Sequence, residues 1–486
     1  MQRPGRRLAA VLPLAGAPRG GRCRLVNDRG KDVGLVEYTP FSLLLDVGMI
    51  SLLMAVGVLL RRWVPLFQKL LIPSPIVAGL LGLALGPEGL GLLGFSEKTG
   101  DYTTILIAVV FAAMPFTMVF DRQVRAGART MWSFSTGMFM AQWGIFILLG
   151  AWLFAPVFGT EDWFGMMLPT GFVGGFGTAA AVGGALDETG AVGASSLGFA
   201  SATVGTFAAI IGGLIFANWG FRTGRVATMP ATLPKEMTTG IIDRLDERPS
   251  IGRATTNPSS VEALGLHAGL LAVVVTGAYL LNEGIKSLFP AVSIPLFALS
   301  FVVGIVVMLL LRVTGAERVI DRDTVGAISG GSTDFLIAFG IASIAPAAIA
   351  DYWLPLLVLF ALGIAFCTVF FFLASPVYFG AGWLERGIFG WGWATAAVAT
   401  GIALLKIVDP KLKSGTLSEY GVAYIGFAPF EIGMTILAPI GVIAGATLPL
   451  GLAATVVAAL ILAAPFVFRW LPGRRRESAP AAARKH

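Results

Sequence analysis

The sequence predicts an all-α integral membrane protein of about eleven transmembrane helices. Ten fall into two inverted five-helix repeats, each with a re-entrant hairpin, and an extra helix follows at the C-terminal side. Three observations predict this. Only 13% of the 486 residues are charged and 56% are hydrophobic, with a mean hydropathy of +0.81, whereas a soluble chain carries about 25% charge. Residues 102–120, 130–160, 189–221, 287–311, 352–384 and 432–468 contain no charge at all, and each approaches or exceeds the ~20 residues that cross an apolar core. Finally, four segments of the first half recur in the same order in the second.

Taken in order, residues 1–37 are basic and rich in Arg, Gly and Pro, a composition expected to stay disordered. The first repeat, 38–218, holds spans at 41–60, 70–87, 103–120, 131–157 and 191–218. Its remaining apolar piece, 164–186, is short and glycine-rich, and reads as a re-entrant hairpin. Residues 219–263 form a polar linker. The second repeat, 264–441, holds spans at 264–282, 293–311, 333–350, 352–376 and 417–441, with a second hairpin at 387–405. The extra span, 446–469, lies in residues 442–470, and a basic tail occupies 471–486.

Lys and Arg fix the expected orientation. With the first helix starting from outside, 25 of them fall on the inner side and only Lys98 and Lys286 in outer loops, as the positive-inside rule requires. Counting one hairpin alone as a crossing would reverse every later loop. The linker and the C-terminal tail are therefore expected to be cytoplasmic, in an inner or plasma membrane. The eight basic residues of 1–37 are the exception, on the expected outer side. The net charge of +7 is thus a membrane signature and implies no nucleic-acid partner. Cys23 and Cys367 offer no disulfide framework. His267 and His486 supply neither metal-ligand spacing nor a nucleophile's base, so no enzyme and no cofactor are expected.

The repeats are legible as paired strings: LFQKLLIP (66–73) with LFPAVSIP (288–295), LIAVVFAAM (106–114) with LIAFGIASI (336–344), GFGTAAAVGG (175–184) with GWATAAVATG (392–401), and GFASATVG (198–205) with GFAPFEIG (426–433). Five spans is an odd number, so the second unit begins on the opposite side of the membrane and is inverted. Inverted repeats are a recurring plan of secondary transporters, with the site between them near the midplane.

Glycine weakens a helix by about 1 kcal/mol against alanine, and broken backbone at membrane depth persists only where protein or a wet cavity satisfies it. The paired breakable stretches are Gly174-Gly175-Phe176-Gly177-Thr178 and Gly390-Trp391-Gly392-Trp393-Ala394-Thr395. They are the expected substrate and ion site, because half-helix amides attract anions and freed carbonyls ligate Na⁺. Glycines there could instead serve close helix packing, and Trp391 and Trp393 could be interface-belt residues or gating ones. Glu431 lies within a span, where an acid is a functional candidate; its repeat counterpart is Thr203, near Ser201. Thr178, Thr395 and Glu431 are the candidate Na⁺ ligands. Asp46, Asp187, Glu188 and Asp334 are expected to be solvated at span ends.

IPSPIVAGLLGLALG (72–86), GGFGTAAAV (174–182), DETGAVGASSLGFASATVGTFAAIIGGLI (187–215) and SEYGVAYIGFAP (418–429) resemble the bacterial sodium/glutamate symporter family, over roughly residues 38–441. The resemblance implies an elevator-type carrier that couples Na⁺ to glutamate or a related small organic anion, usually as a homodimer. Phe176 stands where that family commonly has histidine, and the second hairpin departs from its Gly, Thr, Pro and Asn pattern. The alternatives are an ion-only exchanger or channel, or a membrane enzyme or receptor subunit. The last would need a soluble domain that the polar 219–263 loop is too short to supply.

Overall fold

The computed structural model describes residues 39–96, 98–117, 126–191, 193–225, 235–288, 294–380, 382–409 and 412–471. Every regular element among them is helical. The expected 1–37 extension and nearly all of the 471–486 tail lie outside the described residues.

The first half contains α1 (Pro40–Trp63), α2 (Ser74–Leu85), α3 (Thr99–Thr117), α4 (Ala126–Leu149), α5 (Met167–Gly171), α6 (Gly175–Asp187) and α7 (Ala194–Arg222). The second contains α8 (Ala263–Leu288), α9 (Leu296–Thr314), α10 (Arg322–Ala342), α11 (Trp353–Val369), α12 (Trp383–Thr395), α13 (Val398–Val408) and α14 (Thr416–Ile443), followed by α15 (Thr447–Val467). Among the described residues, ten helical stretches are long and apolar enough to cross a membrane.

The sequence pattern suggested eleven spans, and the difference lies at 70–87. A short helix, Pro65–Leu70, stops where Leu71 turns left-handed (φ 49°), and α2 restarts beyond Pro73 with only 12 residues. At 1.5 Å per residue that is about 18 Å, short of the ~30 Å apolar core. The expected span 333–350 is also displaced. Asp321 caps α10, accepting from the Thr324 hydroxyl (2.7 Å) and amide (2.9 Å), bonds that hold its carboxyl below the usual range. Pro346 then ends the segment, and a separate turn, Pro346–Asp351, follows. The helix therefore begins earlier and ends earlier than its apolar run.

Two long helices carry matching irregularities. A π turn, Gly150–Phe154, extends α4 into Ala155–Phe158, and another, Phe370–Ala374, extends α11 into Ser375–Phe379. Pro156 and Pro376 follow directly. Proline removes the N–H that would close an ordinary turn, and a wider turn absorbs the mismatch.

Packing sorts the helices into two groups. α3 lies against α9 and α10, α10 against α2, α2 against α1, and α8 against α9. In the other group α4 carries α14 and α15, while α7 carries α5, α6, α12 and α13. The α4–α15 seam runs on small residues: a Cβ on Gly144 would lie 2.5 Å from the Thr455 amide nitrogen, and one on Gly451 2.7 Å from the Ile147 side chain. Membrane helices approach this closely when glycine removes the intervening side chain. Ser133 on α4 also donates to the Ile461 carbonyl (2.5 Å).

Two acids expected to be solvated are built in. Asp46 is 1% exposed and accepts from the Ser96 amide (3.0 Å), the Ser96 hydroxyl (2.5 Å) and the Tyr102 hydroxyl (2.8 Å), pinning α1 to the start of α3. Asp187 accepts from the Ala194 amide (2.9 Å) and from the Ser195 amide and hydroxyl, joining the end of α6 to α7. These carboxylates find protein donors in place of water, as partly buried charge requires. Glu188 is exposed at the end of α6, as expected, whereas Asp334 is exposed midway along α10 and not at a span end.

Candidate functional site

Each glycine-rich stretch is a helix, a break and a second helix. In the first, α5 ends at Gly171, Phe172 leaves the helical region (φ −71°, ψ −85°), and α6 restarts at Gly175. In the second, α12 ends at Thr395, Ala396 and Ala397 are extended or irregular, and α13 restarts at Val398. The expected hairpins at 164–186 and 387–405 thus contain both breaks, although the arms of the second run from Trp383 to Val408.

The two breaks touch. Gly175 has φ +65°, a conformation open chiefly to glycine, and a Cβ there would sit 2.8 Å from the Ala396 carbonyl oxygen. A Cβ on Gly205 of α7 would overlap the Thr395 carbonyl oxygen. The N-terminal end of α6, where amides lack helical acceptors, therefore meets the C-terminal end of α12, where carbonyls lack helical donors. Their partial charges are opposite.

Gln142 of α4 links the first break to the last turn of α12. Its Oε1 accepts from the Val173 amide (3.2 Å), and its Nε2 donates to the Ala394 carbonyl (3.1 Å). The side chain is fully buried, and Cys367 Sγ lies 3.4 Å from the same nitrogen. Sequence reasoning missed it. The available signal was that Gln142 is the only carboxamide in the charge-free run 130–160, and polar side chains at membrane depth mark function or helix contacts.

The expected site residues divide accordingly. Gly174 caps α6 and sits over Thr178, where a Cβ would lie 2.5 Å from the threonine's own. Thr178 is 7% exposed, and Gly177 borders Ile107 of α3. Ser201 is fully buried and donates to the Leu168 carbonyl (3.3 Å), fastening α7 to α5 just before the first break. Thr395 is fully buried and donates back to the Trp391 carbonyl (2.6 Å), which leaves its oxygen lone pairs available. These residues gather around the meeting point.

Others face elsewhere. Phe176 joins an apolar cluster with Ile107, Phe111 and Phe297, between α6 and the α3–α9 pair. Trp391 is buried, donates to the Ala209 carbonyl (3.0 Å) and packs edge-on against Phe216 of α7. Trp393 is buried against Phe427 of α14. Neither is an exposed belt residue. Gly390 borders Phe134, and Gly392 sits at the α12–α13 seam, 2.8 Å from the Gly401 Cα by the same Cβ measure. Thr203 bonds back to Phe199 (2.8 Å). Glu431 accepts from the Tyr424 hydroxyl (2.9 Å), a partner on its own helix α14 and not at either break.

Two cavities lie between the two helix groups. One of about 220 Å³ lies between Arg61, Leu71 and Pro73 on one side and Ile210, Ala399, Thr400 and Leu404 on the other. A larger apolar one, about 790 Å³, runs between α3, α9 and α14 and includes Tyr424 and Ile432. At the mouth of the second hairpin, Arg386 donates to both oxygens of Glu419 (2.6 and 2.7 Å), a bidentate pair that ties α12 to α14. Among the described residues no group of His, Cys, Asp and Glu could hold a metal ion.

Comparison with known proteins adds one match. The model of a family described as sodium/glutamate symporter matches residues 41–383, well over half of the 486 residues. The matched stretch closes at the first residue of α12 and so leaves out the second break. A search of curated proteins finds no match.

Proposed function

The chain belongs to the sodium/glutamate symporter family, and from that premise we propose that it takes up glutamate or a related small organic anion driven by Na⁺. The observation that carries the reading is the meeting of two broken helices at Gly175 and Ala396. Free amides at the α6 end suit a substrate carboxylate. The carbonyls of Thr395 and Ala396, with the hydroxyls of Thr178 and Thr395, supply the oxygen ligands that Na⁺ takes. Glu431 is placed in this reading as a nearby acid that tunes ion coupling through Tyr424.

The wider architecture follows the same reading. In this reading the two halves are inverted repeats, with the divided segment 65–85 crossing as the fifth element of the first half, supported by the paired strings and by π turns at Gly150–Phe154 and Phe370–Ala374. The breaks are re-entrant tips. The group containing α4 to α7 and α11 to α14 moves as an elevator past the group of α1 to α3 and α8 to α10, within a homodimer. The linker and C-terminal tail face the cytoplasm of a cell or inner membrane.

Uptake into proteoliposomes tests the function. Radiolabelled glutamate should accumulate under an inward Na⁺ gradient and not under K⁺, and a panel of amino and dicarboxylic acids defines the range. Accumulation of no organic anion, with Na⁺ flux alone, would support an ion exchanger instead.

A further inference from the structure

We propose that Gln142 is the positioning residue that couples the two breaks, so that Na⁺ binding at one is felt as substrate affinity at the other. This rests on the symport reading above. A broken helix leaves backbone groups without partners, and at membrane depth each must be satisfied within the protein. Two separate caps would meet that need. Here one carboxamide serves both: it accepts from Val173 in the first break and donates to Ala394 in the last turn of α12, just before the second. A carboxamide has the same donor and acceptor as a peptide unit, so Gln142 stands in for the missing backbone link and splices α12 to the first hairpin.

The surroundings make that splice stiff. Gln142 is fully buried, and its neighbours Phe139, Trp143 and Phe146 on α4 are buried as well. Its second amide hydrogen faces Cys367 Sγ at 3.4 Å, so both of its N–H donors are engaged. A shift of either break lengthens a bond to the other by the same amount. An ion that fixes the carbonyls of Thr395 and Ala396 thereby fixes the amide end of α6, where the substrate carboxylate is read. Two sites joined this way share a coupling free energy, and a typical coupling changes affinity about 5- to 150-fold.

The test uses the full-length protein and measures glutamate affinity at low and at saturating Na⁺, alongside thermal unfolding. In the unsubstituted protein, Na⁺ tightens glutamate binding. Gln142→Leu removes both bonds and should shrink that ratio about tenfold, within the coupling range just given. Gln142→Glu keeps the acceptor for Val173 and loses the donor to Ala394 when ionised. Its ratio should be small at high pH and recover as the acid protonates and donates again. A residue that only supported the fold would lower the unfolding temperature without moving the ratio. Ratios equal to the unsubstituted protein's in either folded variant, at every pH, overturn the proposal. If Gln142→Leu does not fold, the pH profile of Gln142→Glu decides alone. If the unsubstituted protein shows no Na⁺ effect on glutamate, the symport reading fails and takes this proposal with it.

Discussion

At Asp46 a single side chain shows what one sequence cannot say about itself. The residue lies six positions into α1, where an acid ordinarily reaches water, yet three protein donors converge on it. Those donors come from Ser96 and Tyr102, about fifty residues on, and no local pattern announces them. Asp46→Ala would leave the Ser96 amide and hydroxyl buried without the acceptor they share. A bond to a charged group contributes about 1.5–3 kcal/mol, so unfolding in detergent should occur with about 2–3 kcal/mol less stability, read as a lower melting temperature. An unchanged melting temperature would mean that water replaces the carboxylate there. Gln142 is the opposite case: its isolation among apolar residues was legible, but its two partners were not, because one lies at Val173 and the other at Ala394.

Among the elements, the two hairpins separate the uses of glycine. Both breaks were legible, because runs of Gly, Thr and small residues in corresponding places disfavour continuous helix. Which glycine does what was not legible, since that depends on the neighbour across the gap. Gly175 needs positive φ and faces the Ala396 carbonyl, whereas Gly392 faces Gly401 and Leu404 within its own hairpin. Valine at Gly392 should therefore act first on stability, separating α12 from α13 and lowering the melting temperature and transport together. Alanine at Gly177, beside a 3.5 Å contact with Ile107, should leave both nearly unchanged. Loss of transport at Gly392→Val with full thermal stability would move that glycine from the packing seam to the site. The division before α2 was not legible for a related reason. The run of apolar residues there is long enough to span, but Pro73 and the left-handed Leu71 divide it.

Over the whole molecule, composition sufficed to identify an all-helical membrane protein, because long charge-free runs are unaffordable in water-facing folds and required in lipid. The expected orientation rests on 25 basic residues against two in the loops beyond residue 40, a count that takes the divided segment 65–85 as a crossing. A cysteine placed at Thr256 in the linker should resist an impermeant thiol reagent added outside intact cells, while one at the exposed Asp162 should react. Equal labelling from outside would reverse the topology. The central claim is that the meeting point of the breaks is where substrate and Na⁺ bind. Ala397 lies in the second break and is exposed, so Ala397→Cys can report on it without filling a packed seam. The measurement is its alkylation rate by a permeant maleimide, with and without Na⁺ and glutamate together. The account predicts that the two ligands together slow the reaction severalfold and that K⁺ with glutamate does not. A rate unchanged by Na⁺ and glutamate, in protein that still transports, would contradict it.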